Sequence, residues 1–362
     1  MKVLHYVDEN RLAWGETWIQ LLHELGRQGV RNFVVCKSGG TLAGRLAEEG
    51  IAYDTCDIPL AQLPFTAQKL GRLIDAFQPD LIHTRLSSAA RTGGYWGKKK
   101  KVPVIATVDK YPKLYYYKNA SCLFPCSSAV EAHMAVIGFP KERMQIVYNP
   151  VLFSRYQRDE KKRDKLRKKY GIAENDIIIL SAGRFIDWKG FEYTIQAYAK
   201  MLSKQSQKIR THLWLVGDGP ERKKYLDLVA ELGLDGLVQF MGFAQDIRPW
   251  LWASDLMIQP SQKPEGFSLM LLEAMAARLP VVATNIGGTL DIIRDNENGW
   301  LMEVGDFEKL SSQLEAILAD REHLKRIGLA AEKTASCYDV APIAEQSIAL
   351  YKKSYLRIAY DL

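Results

Sequence analysis

Short apolar runs alternate along the chain with longer amphipathic stretches, and the whole pattern occurs twice. Apolar spacing at 191, 194, 195, 198, 201 and 202 is helical. Alternating strands and helices are typical of parallel sheets with helices on both faces. The predicted strands are 2–7, 33–36, 80–83, 102–108, 122–124 and 145–148, then 176–182, 212–217, 237–241, 255–258, 280–284 and 299–302. The clearest predicted helices are 16–28, 65–77, 127–137, 191–202 and 340–355.

The composition agrees with a globular protein of about two domains. The chain has 362 residues, of which 47% are hydrophobic and 25% charged. Its apolar runs are too short to cross a bilayer, and its first residues lack the apolar core of a signal peptide. Five cysteines are few and odd in number, which favours reduced thiols. These features predict a cytoplasmic protein.

Charge is distributed unevenly between the two halves. Residues 1–170 carry 28 Lys or Arg against 16 Asp or Glu, whereas residues 171–362 carry 21 against 26. The densest basic runs are Lys98–Lys101 and Arg158–Lys169. An anionic membrane surface at the inner face of the cell membrane is one candidate partner, and a merely solvated basic face is the alternative. No nucleic-acid-binding motif accompanies the charge, so no nucleic-acid partner is expected.

Two glutamates mark the most informative stretch, KPEGFSLMLLEAMA, which begins at Lys263. Glu265 lies in a loop after an apolar run, and Glu273 lies on an amphipathic segment that Ser268 can cap. A strand, an acidic loop and a helix place both carboxylates near the carboxyl end of a strand, where open α/β sheets bind ligands. Carboxylates accept hydrogen bonds and can hold sugar hydroxyls. Taken alone, such a spacing could also belong to two solvated glutamates with no role in binding.

Five segments in order resemble the donor-binding half of the retaining family-4 glycosyltransferases, which have the GT-B fold. The stretch above, continued by LPVVATNIGG from Leu279, resembles the family's donor-binding segment. The four other matching segments are SAGRFIDWKG from Ser181, LVGDGPER from Leu215, VQFMGF from Val238 and ENGWLMEVGD from Glu297. Together they cover about residues 177–306, and the first half matches more loosely.

The resemblance implies an α/β GT-B protein with two Rossmann-like doubly wound domains facing across a cleft. Residues 1–150 would form the acceptor-binding domain and residues 151–340 the domain that binds the nucleotide sugar. Residues 341–362 would form a helix that packs back on the first domain. The boundary is placed where Asn149 opens a segment that resembles the family's interdomain turn, although Pro150 replaces the usual glycine.

By the same resemblance, Arg184 and Lys189 would neutralise the donor diphosphate, in place of the divalent metal of other transferases. The chain contains no Asp-x-Asp, and we expect neither a metal nor another cofactor. Arg can bond two phosphate oxygens at once, and Lys supplies a compact charge. Glu265 would hold the transferred sugar, with help from the amides of Gly266 and Phe267, next to Ser268. Glu273 would accept hydrogen bonds from the ribose.

Further donor contacts are expected from backbone groups. Free amides after the glycine pair, at Gly288 and Thr289, would form an anion site at a helix start. The base would lie near Met241 and Gly242. Gly15 would let the backbone approach the donor phosphate, although Trp14 replaces the family's first glycine there.

The acceptor side is assigned to Asp8, Glu9, His83 and Asp109, which lie at or just after the ends of predicted strands of the first half. Asp109 stands where many relatives carry His, and it could accept a hydroxyl bond or act as a base. A structural role is the alternative for each of the four residues.

Arg184, Lys189, Glu265 and Asp109 are therefore the candidate catalytic residues of a retaining glycosyltransferase. The enzyme would move a sugar from a nucleoside diphosphate sugar to a hydroxyl of a glycan or glycolipid, in bacterial lipopolysaccharide or other surface polysaccharide synthesis. The alternatives are a sugar-phosphate synthase on the same fold and a catalytically weak protein that binds glycans or acts as a scaffold.

Overall fold

The computed structural model describes residues 1–11, 15–58, 63–204 and 210–360, with side chains through residue 356. The chain divides into two compact units. The first unit comprises Met1–Leu152 together with the chain from Tyr338 onward, and the second comprises Phe153–Cys337. The divisions lie after Leu152 and before Tyr338, against the predicted positions 150 and 340.

Each unit is built on one six-stranded parallel sheet. The first sheet contains β1 Lys2–Val7, β2 Arg31–Cys36, β3 Tyr53–Thr55, β4 Leu81–Arg85, β5 Val104–Val108 and β6 Cys122–Pro125, in the order β3-β2-β1-β4-β5-β6. The second contains β7 Ile177–Ala182, β8 Thr211–Val216, β9 Val238–Gly242, β10 Leu256–Gln259, β11 Val281–Thr284 and β12 Trp300–Met302, in the order β12-β11-β10-β7-β8-β9. Both are the doubly wound order in which the first and fourth strands of a unit are neighbours, which confirms the predicted fold class.

Helices connect the strands. The first unit has α1 Gly15–Arg27, α2 Leu42–Glu48, α3 Gln68–Phe77, α4 Ser87–Lys100 and α5 Ser128–Val136. The second has α6 Phe153–Tyr156, α7 Glu160–Lys169, α8 Phe191–Lys204, α9 Arg222–Glu231, α10 Arg248–Ala253, α11 Leu269–Ala276, α12 Thr289–Ile292, α13 Phe307–Ala319 and α14 Arg321–Ser336. The last helix, α15 Val340–Tyr360, belongs to the first unit and packs on α1. No helix in the described part of the chain is long and apolar enough to cross a membrane.

The first sheet shows how alternation along a strand builds a core on each face. Val3 and Val7 of β1 pack in the cluster that includes α1, α2 and α15. Leu4 and Tyr6 point the other way, into the cluster that includes α3 and α4. All four side chains are almost completely buried, because a strand sends successive side chains to opposite faces.

The predicted elements were wrong or incomplete at several places. Residues 145–148 form no strand. They run beside β6 with two backbone hydrogen bonds, from Gln145 and Val147. The predicted helix 65–77 begins only at Gln68, because Pro64 opens a separate 3-10 turn. The strand β3 was not predicted, and α4 was not among the helices named from the sequence.

The helix α4 escaped prediction because glycines form much of its buried face. A Cβ added to Gly97 would lie 2.1 Å from the side chain of Val104, and one added to Gly93 would lie 2.5 Å from that of Thr84. The helix therefore packs closely on the sheet without the apolar periodicity that identifies most buried helices.

Candidate functional site

The candidate site of the second unit lies where β7 and β10 are neighbours, at their carboxyl ends. The chain leaving β7 carries Arg184 and Lys189, and the chain leaving β10 carries Glu265. The chain continues from β7 to β8 on one side of this pair and from β10 to β11 on the other. This is the position at which open α/β sheets bind ligands.

Lys189 and Glu265 form an ion pair at this edge of the sheet. The Lys189 Nζ lies 2.8 Å from Oε1 of Glu265, and the two side chains are 19% and 16% exposed. The same carboxylate oxygen accepts hydrogen bonds from Nε2 of Gln259 at 3.0 Å and from Oγ of Ser261 at 2.5 Å. The carboxylate is thus held by a cation and by neutral donors, which fixes its orientation toward the edge of the sheet.

Gly190 explains how the two loops approach each other. Its φ is +67°, and a Cβ at this position would lie 2.2 Å from the carbonyl oxygen of Pro260. The backbone amide of Gln262 donates to the carbonyl of Trp188 at 2.7 Å, which ties the loops together. Only glycine combines this left-handed conformation with such a close approach.

Arg184 lies on the same loop but is exposed, and it forms no ion pair with the residues that the structure describes. Its loop packs on the turn after β8. A Cβ on Gly217 would lie 1.8 Å from the carbonyl oxygen of Gly183, and one on Gly219 would lie 2.3 Å from that of Phe185. The guanidinium is therefore available to a ligand, on a loop whose backbone is closely packed.

Ser268 caps α11 and also orients the site. Its hydroxyl oxygen accepts a hydrogen bond from the amide of Leu271 at 3.4 Å, as the predicted cap requires. Its hydroxyl group donates to Oε1 of Gln259 at 2.8 Å, and both side chains are buried. This bond turns the amide nitrogen of Gln259 toward Glu265.

The expected free amides at Gly288 and Thr289 are not present. The amide of Gly288 donates to the carbonyl of Glu265 at 3.0 Å, and that of Thr289 donates to Ile286 at 3.3 Å. A Cβ on Gly288 would lie 2.1 Å from the carbonyl oxygen of Gly266. The prediction of free amides was wrong because the turn uses both groups: the amide of Gly288 holds the Glu265 loop, and that of Thr289 closes the turn itself.

The remaining donor candidates also lie at the carboxyl end of the sheet. Met241 and Gly242 end β9, and the carbonyl of Gly242 accepts from the amide of Gly217 at 2.8 Å. Gly266 is buried and Phe267 is half-buried, in the loop between Glu265 and the cap of α11.

Glu273, on the first turns of α11, hydrogen-bonds to Tyr156 of α6. The phenol of Tyr156 donates to its Oε1 at 2.8 Å. Burial raises the pKa of Glu273 to about 7, against the opposite effects of this hydrogen bond and of the positive charge of Arg155. The effect of burial therefore prevails, and the carboxyl group is harder to ionise than an exposed glutamate.

In the first unit, the acidic pair Asp8 and Glu9 follows β1, which neighbours β4. Asp8 is 8% exposed, and its carboxylate lies 3.0 Å from Nζ of Lys37. The carboxylate of Glu9 accepts from the amides of Asn10 at 2.8 Å and Arg11 at 3.1 Å. Both side chains therefore stabilise the loops at this edge of the first sheet.

Asp109 follows β5 and is part of a polar trio. Its Oδ1 accepts from the amide nitrogen of Asn149 at 2.9 Å, and its Oδ2 lies 3.9 Å from Nε of Arg85. Arg85 in turn donates to the amide oxygen of Asn149 at 2.9 Å. The Asp109 side chain is 27% exposed, so a ligand could still reach it.

His83 has both ring nitrogens engaged. Its Nδ1 lies 2.6 Å from the hydroxyl of Tyr351 on α15, and its Nε2 lies 2.8 Å from Oγ1 of Thr107. Burial, then the nearby His5 and Arg85, holds the pKa of His83 well below its usual value. The neutral ring connects the sheet to the last helix, which is the structural alternative that the sequence left open.

Gly15 is the buried first residue of α1, and Trp14 lies outside the described residues. No group of three or more His, Cys, Asp or Glu side chains is placed to hold a metal ion within the described ranges. All five cysteines are free thiols.

Sequence reasoning missed four polar residues of these sites: Gln259, Ser261, Tyr156 and Arg85. Gln259 had a readable signal, since it is the polar residue at the carboxyl end of an otherwise apolar strand, whereas Arg85 follows two other polar residues at the end of β4. Tyr156 had none, because its contact with Glu273 joins positions 117 residues apart.

Two family models match the chain. Residues 15–155 match Glycosyltransferase Family 4, and residues 162–334 match Glycosyl transferases group 1. A lipopolysaccharide core biosynthesis glycosyltransferase, LpsE of Rhizobium meliloti, is 26% identical over 334 residues, which cover 90% of this chain and 92% of the relative.

Two further similarities agree with these matches. The N-acetyl-alpha-D-glucosaminyl L-malate synthase of Bacillus anthracis is 34% identical over 227 residues, which cover 61% of this chain and 56% of that relative. The crystal structure of Anabaena Alr3699/HepE in complex with UDP superposes with a TM-score of 0.85 at 24% identity, covering 98% of this chain and 100% of that one. The two family models, the relatives of similar length and the two doubly wound sheets lead to one conclusion: the chain belongs to the family-4 glycosyltransferases of the GT-B fold.

Proposed function

We propose that this glycosyltransferase binds a nucleoside diphosphate sugar at the carboxyl edge of its second sheet and transfers the sugar, with retention of configuration, to a hydroxyl of a surface glycan or glycolipid. The ion pair between Lys189 and Glu265 carries this proposal. It places a cation for the donor phosphate beside a carboxylate for the sugar hydroxyls, at the strand junction where such folds bind ligands.

The chemistry follows from the charges at this edge. When the bond between the sugar and the diphosphate breaks, negative charge develops on the leaving phosphate. Lys189, held beside the site, and the exposed Arg184 would stabilise this charge, and such preorganised groups are usually the largest single catalytic contribution. The oriented Glu265 would accept hydrogen bonds from the sugar, and Glu273 would accept them from the ribose.

The acceptor is assigned to the first unit, at the edge that carries Asp8, Glu9 and Asp109. The lipopolysaccharide-core relatives support a lipid-linked glycan acceptor. The basic surface of the unit supports an anionic membrane as its partner. The relative that is named for L-malate keeps a small soluble acceptor as the second candidate.

The donor proposal is tested by thermal shift with the diphosphates of uridine, guanosine, adenosine and cytidine and with their common sugar conjugates. We expect one base to raise the melting temperature, and the shift to persist in EDTA because Arg184 and Lys189 supply the positive charge. A ligand at 100 times its Kd stabilises the folded state by about 2.7 kcal/mol. UDP is the first compound to test, since the similar HepE structures hold UDP and UDP-glucose.

Glu265→Gln is the matched variant, because it keeps the shape of the side chain and removes its charge. It should retain binding of the nucleoside diphosphate and lose most of the extra shift that the sugar provides. No shift with any compound of the panel, or equal shifts for all four bases, would contradict the proposed donor site.

A further inference from the structure

The segment that opens the second unit places a tyrosine hydroxyl on Glu273, the half-buried glutamate of the proposed donor site. Tyr156 ends the four-residue helix α6, which packs on α11. Its own carbonyl accepts a hydrogen bond from Nε1 of Trp252 at 2.9 Å, and Trp252 is 3% exposed. The backbone of Tyr156 is therefore fixed by α10 while its side chain reaches Glu273, which limits the positions that the hydroxyl can take.

We propose that Tyr156 is a positioning residue: its hydroxyl holds Oε1 of Glu273 in the ionised, acceptor form and presents the other carboxylate oxygen to the donor. This inference rests on the proposed donor site. A carboxylate has about four acceptor positions on its two oxygens, so one bond from tyrosine leaves the positions that a pair of ribose hydroxyls needs. A protonated carboxyl group would offer a donor in place of one of them.

The charges around Glu273 support this assignment. Arg155 on α6 is the charged group that favours its ionised form. On the side of α10, Arg248 is paired with Asp246 at 2.7 Å. On the side of α14, Glu332 is paired with Arg278 at 2.8 Å. In each of these two pairs the charges neutralise each other. Among the described neighbours, Tyr156 and Arg155 therefore lower the pKa of Glu273, against the effect of burial.

Tyr156 itself remains a donor throughout the accessible pH range. Burial, then the negative charge of Glu273, raises the pKa of its phenol well above the usual value. Glu273 is therefore the member of the pair that titrates near neutrality, with a pKa of about 7. Donor affinity should be full above this pH, where the carboxylate predominates, and should fall as the pH drops through it.

The test measures, by calorimetry between pH 5.5 and 9, the affinity of the full-length protein for the nucleoside diphosphate sugar that binds most tightly in the panel above. In Tyr156→Phe we expect the pH midpoint to rise by about one unit and the affinity at pH 7 to fall about fivefold, since a lost hydrogen bond raises the pKa of Glu273. At pH 9 the Tyr156→Phe variant should bind the donor almost as tightly as the wild type. In Glu273→Gln the change of donor affinity between pH 6 and 8 should disappear.

The matched control is Tyr198→Phe, which removes another buried hydroxyl of the same unit, bonded to the carbonyl of Thr211 at 2.8 Å. It should leave the midpoint unchanged. If Tyr156→Phe binds with the wild-type midpoint, or loses the same factor at every pH, Tyr156 does not set the ionisation of Glu273. If the wild-type protein bound none of the nucleoside diphosphate sugars, the proposed donor site itself would be contradicted.

Discussion

At the residue scale, the candidate site depends on a few polar side chains whose partners hold them in one orientation. Glu265 accepts from Lys189, Gln259 and Ser261, and Gln259 is itself oriented by Ser268. Charge-assisted hydrogen bonds of this kind are roughly twice as strong as neutral ones. A fixed carboxylate beside a fixed ammonium requires little reorganisation when a charged ligand binds.

Lys189→Met should lower kcat/KM by about 100-fold or more while leaving the fold intact, because a single preorganised charge at a developing anion is worth about that factor. The matched control is Lys200→Met, which removes an ion-paired lysine between α8 and α13, with Glu308 as its partner. Steady-state kinetics of both variants measures the effect. If Lys189→Met and Lys200→Met had equal kcat/KM values, Lys189 would not stabilise the leaving phosphate.

At the element scale, glycines allow the loops at the sheet edge to meet. Gly190, Gly217 and Gly288 each lie close to a backbone carbonyl of a neighbouring loop, where no side chain would fit. Two of the three also have positive φ, Gly190 and Gly217. Close packing of the loops therefore explains why glycine is needed at these positions of the matching motifs, whether or not the glycines also contact a ligand.

A comparison of Gly190→Ala with Gly233→Ala should distinguish the cost of a steric contact from the cost of backbone strain. Gly190 has φ +67° and Gly233 has φ +64°, but a Cβ on Gly233 would meet nothing within 4 Å. Both variants should lose about 1–2 kcal/mol of unfolding free energy from the left-handed conformation. Only Gly190→Ala should lose more and should also lose activity, because its Cβ displaces the Pro260 loop.

Urea unfolding and kinetics of the two variants provide the measurement. If Gly190→Ala unfolds at the same urea concentration as Gly233→Ala and keeps wild-type activity, the loop contact does not position Lys189.

At the scale of the whole molecule, positive charge is concentrated in the first half of the chain. On the first unit, the exposed lysines at the end of α4 lie near aromatic side chains. Lys99 stacks over the ring of Trp96 at 4.9 Å, and Phe65 is 50% exposed in the adjoining turn. Basic residues beside exposed aromatic ones are suited to an anionic lipid surface.

Replacing Lys98, Lys99, Lys100 and Lys101 by Gln should weaken binding to phosphatidylglycerol vesicles at least about tenfold, since each basic residue near such a surface contributes about 1 kcal/mol. Co-sedimentation measures this binding, which should also fall in high salt. The control replaces the same number of lysines on α7: Lys161, Lys165, Lys168 and Lys169. Equal loss in both variants would indicate net charge rather than a defined surface, and no binding of the wild type would exclude the membrane partner.

The sequence by itself determined the two parallel sheets, the sequence positions of most strands, and the loops that carry Arg184, Lys189 and Glu265. These are properties of local pattern, because burial of a strand on both faces leaves an uninterrupted apolar run and a helix cap depends on its neighbouring residues. It missed α4, whose buried face is made partly of glycine, and the strand β3, which has only three residues.

Only the tertiary structure decided the partners of the polar residues. It showed that His83 is bonded to Tyr351, that the amide of Gly288 is already used by Glu265, and that Tyr156 is bonded to Glu273. Each contact joins residues that are far apart in the chain, and its existence depends on where two separate elements pack. Hydrogen bonds and the pKa of a buried carboxyl group depend on these neighbours in space, which a linear pattern does not record.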